Sequence, residues 1–65
     1  MLRILIVEDE DKVRKLHQEL LEGEGYQVVS VPDAVEASEI LLRKHFDIIL
    51  LDINLPRVYG SILFD

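Results

Sequence analysis

Cysteine is absent from this 65-residue chain, so no disulfide can staple the fold, and the two histidines, His17 and His45, stand far apart with no Cys/His zinc spacing. Cations are few: seven Lys and Arg face 13 Asp and Glu, a formal charge of −6. No basic stripe runs along any segment, which argues against direct nucleic-acid binding. Long apolar runs are missing too. No uninterrupted stretch exceeds Ile48–Leu51, far short of the ~20 residues that span a bilayer, so no membrane association is expected. Arg3 and its apolar followers meet Glu8, Asp9, Glu10 and Asp11 too soon for a signal-peptide core, and no small-residue cleavage site follows. A cytoplasmic location is expected. There is also no internal repeat, low-complexity tract or linker. What is present is an apolar share of 49%, too high for a disordered tail. A chain this short forms at most one domain and buries only ~60% of its unfolded surface, so association or a bound ion is expected to help it.

Short apolar runs alternate with stretches of helical spacing. Residues 2–7 read as a strand buried on both faces, because Ile4-Leu5-Ile6-Val7 lacks polar alternation. Val13, Leu16, Leu20 and Leu21 recur at helical spacing from Asp11 to about Glu22, with Lys12, Arg14, Lys15 and Glu19 on the other face. Gly23 and Gly25 are expected to stop this helix. Tyr26–Val31 reads as a second strand closed by Pro32. Asp33 with Glu36 has capping-box spacing, and a second helix is expected to run to about Lys44 with Ala34, Ala37, Ile40 and Leu41 inward. Arg43, Lys44 and His45 would meet the negative end of its dipole. Phe46–Leu51 is the third strand, and Leu55-Pro56 with Gly60 marks a loop. Strand, helix, strand, helix, strand with helical crossovers is an α/β order whose natural solution is a parallel sheet.

Two acidic clusters stand where apolar strands end: Glu8-Asp9-Glu10 after the first and Asp52 after the third. In an open parallel sheet, ligands bind beyond the carboxyl ends of the strands where strand order reverses. A first strand lying between the second and third would bring Glu8, Asp9 and Asp52 together there. Carboxylates so packed repel one another unless a cation neutralises them, and hard oxygen ligands suit magnesium. Taken singly, Glu10, Asp11 and Asp33 are more simply loop charge or helix caps. His17 reads as a border residue of the first helix, and His45 as a helix-end residue.

Val7-Glu8-Asp9-Glu10 after a buried strand, Gly25-Tyr26-x-Val28 opening the second, and Asp52-x-x-Leu55-Pro56-x-x-x-Gly60 together resemble the first half of a response-regulator receiver domain of two-component signalling. The likeness runs from about Leu2 to Gly60. It implies half of a flavodoxin-like doubly wound parallel sheet, strand order 2-1-3, with residues 1–65 forming a single truncated receiver domain. It further implies that Asp52 is the phosphoacceptor, charged by a sensor histidine kinase or a small acyl phosphate. Asp9 and Asp52 would bind Mg²⁺ directly, Asn54 would add its backbone carbonyl, and Glu8 would act through a metal-bound water. Such a domain is a phosphoacceptor rather than an enzyme. Receiver domains also carry a Ser or Thr after a fourth strand and a Lys after a fifth. Lys12, Lys15, Lys44 and Ser61 match neither position, so phosphorylation is expected to be impaired.

A third strand without a fourth beside it presents an open edge, a template for another chain. Self-association as a homodimer or higher oligomer through that edge is therefore expected, either by antiparallel pairing of two third strands about a two-fold axis or by exchange of elements. Ser61–Asp65, with Ile62, Leu63 and Phe64, would form a helical stub or cover the edge. The alternative function is a non-catalytic, self-associating half-domain with a vestigial acidic pocket. An aspartyl-phosphate hydrolase is disfavoured, because such enzymes usually carry a second Asp two residues after the nucleophile, where this chain has Asn54.

Overall fold

Four consecutive aliphatic side chains, Ile4 to Val7, are all at most 3% exposed, the burial expected of a central strand covered on both faces. They form β1 (Arg3–Val7), followed by α1 (Asp11–Gly23), β2 (Gln27–Val31), α2 (Ala34–Leu41) and β3 (Ile48–Leu51). The computed structural model describes residues 1–51. The loop expected at Leu55, Pro56 and Gly60 and the segment Ser61–Asp65 lie outside the described residues.

The strands form one parallel sheet in the order β2-β1-β3, the expected half of a flavodoxin-like doubly wound sheet. Val7 stands level with Val31 on one side and Leu51 on the other. Strand order 2-1-3 sends the two crossovers in opposite directions, so with the right hand usual for such connections α1 and α2 cover opposite faces. Leu5, Val7, Val31 and Ala37 form the core under α2, with Val29, Ile40 and Phe46 packed against it. Ile4 and Ile6 alternate to the α1 side. There Gln18 accepts a hydrogen bond from Ser30 Oγ at 2.6 Å, fastening α1 to β2.

Several boundaries and burials differ from the sequence expectations. The N-cap of α1 is Glu10, which makes no side-chain cap, while Asp11 lies inside the first turn. Asp33 caps α2 as expected, accepting from Glu36 N–H at 2.9 Å. That helix ends at Leu41, three residues early, where the N–H groups of Arg43 and Lys44 turn back to the Ile40 carbonyl. Strand β3 starts at Ile48 instead of Phe46. Asp47 clasps Arg3 beforehand, its N–H donating to the Arg3 carbonyl and its carboxylate accepting from Arg3 N–H, each at 2.8 Å. Leu16 and Leu20 are more than half exposed, and no residue of α1 is fully buried. All four residues of β3 are exposed, so Leu50 and Leu51 are not the core residues their hydropathy suggests.

Candidate functional site

The sheet delivers acids to the carboxyl end of β1. Glu8 continues the strand pairing, its N–H donating to the Val31 carbonyl at 3.0 Å. The residue is only 4% exposed, and a buried carboxylate is costly unless hydrogen-bonded. Glu8 Oε2 accepts from Glu10 N–H at 2.9 Å, closing a tight turn around Asp9. Asp9 itself is exposed. One acid is thus held inside the fold and the next is presented outside it.

Arg14, on the second turn of α1, closes the other side of this turn. Its Nη1 donates to the Glu8 carbonyl at 2.8 Å, and Nη2 pairs with the Asp11 carboxylate. The side chain is only 20% exposed, although helical spacing assigns Arg14 to the solvated face. The sequence signal that could have found it is a planar, two-pronged cation three residues after Asp11 and six after Glu8.

Of the acids expected to converge, Glu8 and Asp9 lie together at the end of β1. Asp52 and Asn54 are outside the described residues. Leu51, which precedes Asp52 in the chain, pairs with Val7, which precedes Glu8. Among the described residues, no three His, Cys, Asp or Glu side chains are grouped to hold a metal ion. Glu10 is exposed at the N-cap and offers its backbone N–H to Glu8, consistent with a loop role. His17 is half-buried at the rim of an apolar groove of about 240 Å³ shared with Leu20, Leu21 and Leu50. A larger cavity of about 320 Å³ lies along α2, lined by Val31, Glu36, Glu39, Ile40, Arg43 and Lys44. It contains neither Glu8 nor Asp9.

A family model described as "Response regulator receiver domain" matches residues 4–65. The transcriptional regulatory protein YxdJ of Bacillus subtilis is 45% identical over 60 residues, covering 92% of this chain and 26% of that protein. The polar-differentiation response regulator DivK of Brucella ovis is 39% identical over 57 residues, covering 88% of this chain and 46% of its own length. The chain therefore spans between a quarter and a half of these relatives. No solved structure matches it at the same stringency. No described helix is long and apolar enough to cross a membrane.

Proposed function

We propose, from the premise that this chain belongs to the response regulator receiver domain family, that it accepts a phosphoryl group on Asp52 in two-component signalling. What supports the reading is the pairing of Val7 with Leu51, which sets the strand ends leading to Glu8-Asp9 and to Asp52 side by side. Receiver domains generally bind Mg²⁺ at their acidic pocket. The oxygen donors here fit such an ion: a buried Glu8, an exposed Asp9 and no thiol anywhere in the chain. Asp9, Asp52 and the Asn54 carbonyl would hold it directly, with Glu8 acting through water. Bound there, Mg²⁺ would neutralise charge on the transferring group.

In the proposed step an Asp52 carboxylate oxygen attacks the donor phosphorus. The bond from phosphorus to a kinase histidine nitrogen, or to the oxygen of an acyl phosphate, breaks, and the leaving group takes the electron pair. The chain acts as acceptor rather than as a turnover enzyme, in a cytoplasmic pathway with a sensor histidine kinase. Residues 1–65 act as one unit. Acetyl phosphate with Mg²⁺ is expected to add one phosphoryl mass to the parent chain and none to Asp52→Asn. Absence of that gain in the parent, together with no beryllofluoride signal at Asp52, would refute the phosphoacceptor reading.

A second reading has its own support. Ile48 to Leu51 are 38–71% exposed, and among the described residues β3 pairs only with β1. Two copies are proposed to associate through this edge, which would give a continuous sheet of order 2-1-3-3′-1′-2′.

A further inference from the structure

We infer that Arg14 is a positioning residue that straps the β1–α1 acidic turn into a cation-ready shape before any cation arrives. Four acids in succession, Glu8 to Asp11, would splay the turn by mutual repulsion. Bonds at Glu8 oppose this: its N–H is tied to β2, its carboxylate to Glu10 N–H, and its carbonyl to Arg14. The last crosses from the turn to the body of α1, and the same guanidinium also grips Asp11 through Nη2. The backbone N–H of Arg14 donates to the Glu10 carbonyl at 2.9 Å, so one residue reaches both ends of the turn. Asp9 sits between the fixed points.

The strap depends on the guanidinium as a fork, because two donors on one rigid plane fix the distance between the Glu8 carbonyl and the Asp11 carboxylate. An ammonium keeps the charge without that plane. Arg14 therefore acts through Glu8 and Asp9 by geometry, and its positive charge is a secondary feature. As a mere counter-charge it would compete with an incoming cation, so the two roles predict opposite signs.

This inference rests on the Mg²⁺ reading above for its functional half only. The test measures Glu10 amide exchange by NMR in the metal-free 65-residue chain and then titrates Mg²⁺ into the parent, Arg14→Lys and Arg14→Gln. Both variants are expected to exchange the Glu10 amide about tenfold faster or more, the scale of losing one charge-assisted bond, while the Val29 and Ser30 amides of β2 keep their protection. Both are also expected to bind Mg²⁺ about tenfold more weakly, as when an outer partner of a metal ligand is lost. Parent-like behaviour of Arg14→Lys in both measurements, or tighter Mg²⁺ binding by Arg14→Gln, overturns the positioning role in favour of simple charge. Unfolding of Arg14→Lys overturns it in favour of a structural role. If the parent binds no Mg²⁺, the metal reading fails by itself, and the Glu10 exchange rate still decides the strap.

Discussion

Leu5 and Leu16 are the same residue type, and hydropathy assigns both to buried faces, yet Leu5 is 0% exposed and Leu16 is 53% exposed. The difference is packing depth: Leu5 lies on the central strand with cover from α2, whereas α1 leaves its outer leucines half in water. Leu5→Ala is expected to cost about 2–5 kcal/mol, enough to abolish cooperative unfolding in so small a chain, and Leu16→Ala to stay within about 0.5 kcal/mol. Urea denaturation followed by circular dichroism checks both, and equal losses would contradict this placement of α1. The acids at the β1 terminus were legible in the sequence because a strand end is marked by an abrupt change from aliphatic to charged. The inward turn of Arg14 was not legible. Its side chain is long enough to lie on a polar face by spacing and still reach back six residues to the Glu8 carbonyl.

At the scale of elements, two glycines at the end of α1 do opposite things. Gly23 is the last helical residue, while Gly25 has φ +96°, in the left-handed region. The Gly25 and Tyr26 N–H groups bond back to the carbonyls of Glu22 and Leu21, which is the Schellman ending that favours glycine at this position. A Cβ at either site meets nothing within 4 Å, so backbone preference alone decides the outcome. Gly23→Ala is expected to stabilise the chain by about 0.5–1 kcal/mol, and Gly25→Ala to destabilise it by about 1–2 kcal/mol. Melting temperatures that moved in the same direction would show that the cap is mispositioned. The order of elements was readable because short aliphatic or β-branched runs alternate with a stretch of helical spacing and a capping box, with Gly and Pro marking the breaks. The end of α2 was not, since Leu42, Arg43 and Lys44 are acceptable helix formers. The Asp47–Arg3 clasp, a contact 44 residues apart, starts β3 after Asp47, and no local pattern announces it.

At the scale of the whole molecule, β3 is the strand whose residues are all exposed among the described residues. Aliphatic residues at all four positions of a strand suit a central place in a sheet, yet among the described residues β3 stands at the edge with each of them exposed. The sequence shows that this strand is built for cover on both faces, but no single-chain pattern specifies what supplies it. Nearby, the groove between α1 and β3 adds Leu20 and Leu50 to the same uncovered region. Edge strands that remain monomeric usually carry an inward charge, a proline or a bulge, and Ile48-Ile49-Leu50-Leu51 carries no charge or proline. A second copy aligned antiparallel on this edge would pair with its backbone and bury Ile48 to Leu51 of both chains near the two-fold axis. Sedimentation velocity at micromolar concentration is expected to show a dimer or larger species. Leu50→Lys, which sets like charges close together across that axis, is expected to shift the distribution toward monomer. A compact, cooperatively melting monomer for the parent chain would refute association through β3.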